Sequence, residues 1–289
     1  MEDPIEKAKI LMEALPYIRR FHGCTMVIKY GGSAMTEGTL SESFVRDVVL
    51  MKYVGMNPIV VHGGGPQIDE VLRDLAIEPR RVDGLRITDD RTMDVVEMVL
   101  AGKINKQLVS QIGRQGGRAV GLSGVDDGLL LAEKLPPVQT KSGLVDTGRV
   151  GTIREVRPAV LTALVSAGFI PVIAPIGIDR DGTTLNINAD TAAGELAAAL
   201  KAEKFVLMTD TAGVCDRDGK LLQSLTAAEI ARLRESDVIS GGMIPKVECA
   251  LAALSGGVGK VHVIDGRVEH AILLEVFTDS GVGTEILRS

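Results

Sequence analysis

Apolar residues fall along this chain in short unbroken runs, and between the runs they recur every three or four positions. The runs TMVIKY, NPIVVHG, RAVGLSG, FIPVIAPIG, KFVLMTD and KVHVID are predicted as strands buried on both faces. The spacing between them predicts helices at about 40–55, 66–77, 90–115, 158–167, 190–202 and 245–255. Buried strands alternating with helices predict an α/β fold, its largely parallel sheet covered on both sides. The segment 125–153 breaks the pattern with short runs, glycines and prolines, and predicts hairpins inserted at an edge of the sheet. Ahead of the first strand, Asp3 and Pro4 read as a helix start, and Ile5, Ala8, Met12 and Leu15 follow helical spacing, widened by Leu11 and Ile18. Pro16 is expected to kink or interrupt this helix. The stripe allows two readings, a helix packed on its own lobe or an arm docked on another subunit.

Composition narrows the partners. The chain has 289 residues, 45% hydrophobic, enough for a sizeable core in one large domain or two lobes. Its formal net charge of -6 argues against general binding to nucleic acid or anionic membrane. Three scattered cysteines, Cys24, Cys215 and Cys249, make neither a disulfide framework nor a zinc site, and are expected as small buried residues in a reducing compartment. No apolar run approaches the ~20 residues of a membrane span, and the acidic N-terminus lacks a signal-peptide pattern, so a cytoplasmic protein is expected.

Candidate chemistry gathers where strands end, since ligands of parallel sheets sit beyond the carboxyl ends of the strands. The first strand closes on Lys29 and runs into Gly31 and Gly32; the second runs into Gly63, Gly64 and Gly65. Glycine loops let backbone N–H groups approach a phosphate, although such loops also serve as plain turns. Lys29 among apolar neighbours is costly to bury without a counter-charge, unless it snorkels to water. Lys246 follows Gly241 and Gly242 near a helix start, where its charge opposes the dipole and calls for something negative. Asn186, Asn188 and Asp190 alternate ahead of an alanine-rich helix. Asp190 reads as its N-cap, as the carboxylate holding both lysines, or as a helper of hydrated magnesium. Thr209 and Asp210 close a later strand and could face a nucleotide base and ribose. Arg86 could clamp a carboxylate, while a surface salt bridge is its ordinary reading. Of four histidines, His62 alone lies near these loops, and no metal-ligand spacing occurs.

Taken in order, KYGGSAM, VHGGGPQI, GLRITD, LNINADTAAGELA, TDTAGV and GGMIPKVECAL resemble the amino-acid kinase superfamily and, within it, the N-acetyl-L-glutamate kinases, from about Met26 to the C-terminus. Carbamate, UMP, glutamate 5- and aspartate kinases share the glycine loops and lysines but not this set. Acetylaminoadipate kinases differ by one methylene in substrate. The resemblance implies a three-layer αβα sandwich with a helical arm at 1–22, a lobe at 23–175 for N-acetylglutamate and dimerisation, and a lobe at 176–289 for ATP. It makes Lys29 and Lys246 the lysines that stabilise the transition state and Asp190 the aspartate that organises them. Gly64, Gly65, Arg86, Asn186 and Asn188 would bind N-acetyl-L-glutamate. Gly31, Gly32, Thr209, Asp210, Gly241 and Gly242 would lie at ATP, which such enzymes use with Mg2+. A γ-carboxylate with a reference pKa of about 4.3 is already ionised at neutral pH, so this chemistry needs no general base. The arm with Tyr17, and the C-terminal segment with Glu275 and Gly283, resemble those of arginine-inhibited members that join dimers into a hexamer. By residue type alone, Glu275 is an exposed helical charge. Some members bind the PII signalling protein, which nothing in the sequence assigns. A non-catalytic sensor on this fold would be expected to lack Lys29, Lys246 or Asp190, and all three are present.

Overall fold

In the computed structural model, which describes residues 4–35, 37–140, 143–278 and 281–288, the six apolar runs form six strands of one sheet. These are β1 (Thr25–Tyr30), β2 (Asn57–His62), β3 (Ala119–Ser123), β4 (Ile170–Ala174), β5 (Lys204–Thr209) and β7 (Lys260–Asp265). Two short strands, β6 (Ser224–Thr226) and β8 (Thr284–Leu287), complete eight among the described residues, in the order β6-β8-β7-β5-β1-β2-β4-β3. The pairing is parallel except where β8 runs against β7. Both extra strands escaped the sequence reading, being too short and too polar to show a period.

Helices cover both faces, giving the expected αβα layering. They are α1 (Pro4–Phe21), α2 (Gly38–Tyr53), α3 (Gly65–Asp74), α4 (Asp90–Glu97), α5 (Asn105–Arg114), α6 (Ala159–Ser166), α7 (Ala189–Ala199), α8 (Ala227–Glu235), α9 (Met243–Ser255) and α10 (Ala271–Val276). Successive strand side chains alternate between layers. Met26, Ile28, Tyr30 and Val60 pack with α2, α5 and α10. Val27, Ile59 and Val61 pack with α6, α7 and α9. By that alternation Lys29 faces the α7 and α9 layer, while His62 faces the α5 layer.

Four expectations need correction. The hairpins of 125–153 do not extend the central sheet. Leu130–Lys134 and Gly151–Val156 join Ile176–Ile178 and Thr184–Asn186 in a separate four-stranded sheet, and Val138–Thr140 pairs with Gly143–Val145. The helix predicted at 90–115 contains a π-helical segment, Met98–Ile104, between α4 and α5. Helix α1 runs unbroken through Pro16, whose exposed position lets water serve the carbonyl that proline cannot bond. Its expected cap, Asp3, lies outside the described residues. The cysteines are free and half-buried rather than fully buried.

Candidate active site

Strand β1 delivers Lys29 to the α7 and α9 layer, and there it meets Asp190 in the first turn of α7. Lys29 Nζ lies 3.1 Å from Asp190 Oδ1, an ion pair off the hydrogen-bond line. Lys246, from the first turns of α9, donates to Asp190 Oδ2 at 2.8 Å. One carboxylate therefore spans two ammonium groups, and the negative partner that Lys246 required is Asp190. Burial alone would raise the Asp190 carboxyl; the two ammonium charges outweigh it and hold the group below the usual carboxylate range. Asp190 is not the helix cap. Asn188 is: its Oδ1 accepts from the N–H groups of Asp190 (2.9 Å) and Thr191 (3.1 Å), which leaves the Asp190 carboxylate for the lysines.

In both loops a side chain in place of glycine would have to displace the end of a neighbouring side chain. A Cβ at Gly31 would fall on Lys29 Nζ and within 2.9 Å of its Cε. A Cβ at Gly64 would come within 2.5 Å of Ile104 Cδ1 and 2.6 Å of Leu100 Cδ2. Two cavities, each about 170 Å³, share the Gly63–Gly65 backbone. Lys29, Gly31, Gly32 and Asp190 line one; Arg86 and Asn186 line the other; Asn188 lines both. The first amides of α3 have no intrahelical acceptor, so this loop offers donors to an anion.

Arg86 is not a surface residue. It is 7% exposed, ion-paired through Nη1 to Asp69 Oδ1, and donates through Nη2 to Gly65 O at 2.9 Å. Arg81 Nη2 donates to Asp69 Oδ2 at 2.7 Å, so one α3 carboxylate carries two guanidinium groups at the cavity wall. Burial would raise the Asp69 carboxyl, but Arg86 and Arg81 hold it below the ordinary range. Asn186 Nδ2 donates to Thr88 Oγ1 at 3.1 Å, and Thr88, fully buried, donates to Arg86 O at 2.9 Å. Sequence reasoning missed Asp69, Arg81 and Thr88. Only the nearness of Thr88 to Arg86 in GLRIT hinted at any of them.

The remaining residues divide. A Cβ at Gly32 would overlap the Asp210 carboxylate, so Asp210 borders the first glycine loop. Thr209, Gly241 and Gly242 line neither of the two cavities; Thr209 ends β5 and Gly242 precedes α9. Tyr17, Glu275 and Gly283 line a separate cavity of about 280 Å³ with Lys204, Lys260 and His262. Glu275 is buried rather than exposed, and its Oε1 lies 2.6 Å from His262 Nδ1. Among the described residues no cluster of three or more His, Cys, Asp or Glu could hold a metal ion. With an ammonium group beside each Asp190 oxygen, that carboxylate does not suit a resident cation.

Paired ammonium groups held by one carboxylate beside amide-lined cavities suit transfer of a charged group onto an anion. The sequence pattern of the amino acid kinase family matches residues 25–265. The chain belongs to the amino acid kinase family. Among members of that family, an acetylglutamate kinase of Syntrophobacter fumaroxidans is 57% identical over 98% of this chain and 97% of its own length. One of Geotalea uraniireducens is 57% identical over 99% of this chain and 100% of its own, and one of Acinetobacter baumannii 56% over 98% and 95%. Among solved structures, an N-acetylglutamate synthase of Neisseria gonorrhoeae, complexed with coenzyme A and N-acetylglutamate, superposes with a TM-score of 0.85 at 29% identity. It covers 98% of this chain, whereas this chain spans 63% of that synthase. The same synthase complexed with coenzyme A and L-arginine gives 0.82 at 28% identity, over 98% of this chain and 65% of that one. A carbamate kinase of Giardia lamblia, at 16% identity and a TM-score of 0.66 over 92% of this chain and 99% of its own, shares the fold.

Proposed function

We propose that this chain is an acetylglutamate kinase, transferring the γ-phosphoryl group of ATP to the γ-carboxylate of N-acetyl-L-glutamate in arginine biosynthesis. The observation that carries the reading is Asp190 spanning Lys29 and Lys246 beside the Gly63–Gly65 loop, with Arg86 on the adjoining wall. Near-full-length relatives at 57% identity that bear this name support it. A γ-carboxylate oxygen bonds to the γ-phosphorus as the bond to the β–γ bridging oxygen breaks, giving an acyl phosphate and ADP. The acceptor is already ionised, so no proton moves. The obstacle is repulsion between anions, which the two ammonium groups and the loop amides offset. Arg86 and Asn186 hold the acceptor's α-carboxylate and amide end. Gly31, Gly32 and Asp210 border the nucleotide, and magnesium arrives on its phosphates. Residues 23–175 supply most of the acceptor half and 176–289 most of the nucleotide half, with Asn186 and the Gly31–Gly32 loop each serving the other half.

Regulation belongs to the same proposal. The Tyr17, Glu275 and Gly283 cavity carries both signs of charge, as a zwitterionic cationic amino acid requires, and L-arginine is the inhibitor we assign to it. The apolar stripe of α1, with Leu11 71% and Met12 64% exposed, supports docking of that helix on a second copy, dimers building to a hexamer. The test is Mg-ATP with hydroxylamine trapping of the acyl phosphate, with N-acetyl-L-glutamate, N-acetyl-L-2-aminoadipate and aspartate as acceptors, each with and without L-arginine. Hydroxamate with N-acetylglutamate alone, suppressed by arginine, is expected. Signal only with aminoadipate would overturn the substrate assignment, and silence from folded, ATP-binding protein would overturn the enzyme.

A further inference from the structure

Beneath the second glycine loop lies a polar pair that the charged site does not use. His62 ends β2 on the α5 layer and is fully buried. Its Nδ1 lies 2.9 Å from Gly63 O, and its Nε2 lies 3.3 Å from Asn105 Nδ2. Asn105, also fully buried, opens α5 directly after the π-helical segment, a distortion that often accompanies functional positions. Asn105 Nδ2 also donates to Val172 O at 2.9 Å and lies 3.3 Å from Leu122 O, so one of its two hydrogens serves Val172 and the other is shared between Leu122 O and His62 Nε2; its Oδ1 accepts from Lys106 Nζ at 3.1 Å. Those partners set which end of the amide is which. The nitrogen end faces His62, so Nε2 accepts and the imidazole proton sits on Nδ1, donating to Gly63 O.

Gly63 is thereby held at both ends, since its own N–H donates to Tyr30 O at 2.8 Å. In a planar trans peptide the carbonyl of one residue and the N–H of the next point in opposite directions. Drawing the Gly63 carbonyl down to His62 therefore turns the Gly64 N–H away from the buried layer, toward the loop's cavity side. Leu100 and Ile104 of the π-helical segment close against Gly64 and oppose a rotation of this peptide.

We propose that Asn105 and His62 are positioning residues of phosphoryl transfer: Asn105 fixes His62 as its Nδ1–H tautomer, and His62 aims the Gly64 N–H at the transferring group. The inference rests on the kinase reading above. Burial lowers the imidazole to about 4, so His62 stays neutral at working pH and takes no part as an acid or base.

Two measurements on the 289-residue chain test it. Nitrogen-15 spectra of histidine-labelled protein, with His62 assigned by its loss in His62→Asn, are expected to show the Nδ1–H form. An Asn105→Leu variant is expected to shift it toward a mixture. Steady-state kinetics form the second arm. His62→Asn puts a side-chain amide donor near the Nδ1 position and should keep kcat within about threefold of the parent. His62→Phe removes the donor and should lower kcat by roughly 30-fold with KM for ATP little changed, below the 10²–10³ typical of deleting a transition-state donor outright. An Nε2–H tautomer of His62 in the parent overturns the proposal whether or not His62→Phe and Asn105→Leu fold. So does a folded His62→Phe with parental kcat, or an equal fall in the Asn and Phe variants. A parent inactive on every acceptor, yet showing the Nδ1–H form, fails the kinase reading and with it the catalytic part of this proposal. An active parent with the Nε2–H form fails this proposal alone.

Discussion

Strands β1 and β2 lie side by side in register, with Lys29 opposite Val61 and Tyr30 opposite His62, and each runs into a glycine loop. Their functional side chains nevertheless leave on opposite faces. Lys29 enters a layer open to the cavity, its side chain 11% exposed, and shares the Asp190 carboxylate with Lys246. His62 enters a closed layer with no exposure at all, where a charge would cost several kcal/mol. The polar group there is neutral and held by hydrogen bonds alone. On the proposal above, two adjacent glycine loops act by different physics: one supplies charge, the other orients a dipole. Which physics each uses follows from whether its layer reaches solvent.

The largest effect should come from the charged end. Lys246→Met removes one ammonium group and leaves Asp190 to Lys29; kcat should fall by about 10³-fold in the trapping assay, with the fold retained. A loss smaller than that of His62→Phe would reverse the ranking of the two loops. Asp190→Asn should cost about 10²-fold in kcat, because two facing ammonium groups lose the carboxylate that sets their spacing. Its pH signature is also fixed. The folded Asp190 carboxyl lies below its unfolded value, so its contribution to stability is full above about pH 4 and is lost as pH falls through the folded value. Acid melting curves should accordingly be flatter for the Asn variant than for the parent.

The smallest effect belongs to the neutral end, with the opposite origin. His62 titrates at about 4 when folded against 6.5 when free, so between those values the unfolded chain binds more protons and stability falls as pH falls. From about pH 6.5 to 5.5 this amounts to about 1 kcal/mol, measurable by urea unfolding and absent from His62→Asn. A slope unchanged in that variant would mean that His62 is not held neutral, and would dissolve the contrast between the loops.

Local features of this site were legible where a single residue type has few uses. A lysine in an apolar strand before paired glycines demands a counter-charge, and Asp190 answers it. Cap assignment failed by two residues because Asn188 and Asp190 are both good caps, and only the lysines, far off in sequence, decide between them. Asp69 and Thr88 stayed hidden since an acidic residue on α3 and a threonine after GLRI look ordinary until the fold sets them against Arg86 and Asn186. The π-helical segment was invisible because Met93, Val96, Leu100, Ile104, Leu108 and Ile112 keep steps of three and four throughout. Hydrophobic spacing reports which face is buried, not how many residues make a turn.

Strand β1 lies between β2 and β5, so the first strand of the chain is completed only by a partner ending at Thr209. During synthesis, a nascent chain that has not yet released that segment presents the open edge of an apolar central strand, the kind of edge that recruits other chains. The charge cluster spans a longer wait: Asp190 emerges shortly before that strand, but Lys246, the second ammonium group it holds beside Lys29, emerges only after it. Folding of this molecule is therefore gated by its second half, and a truncated product should be insoluble rather than merely inactive.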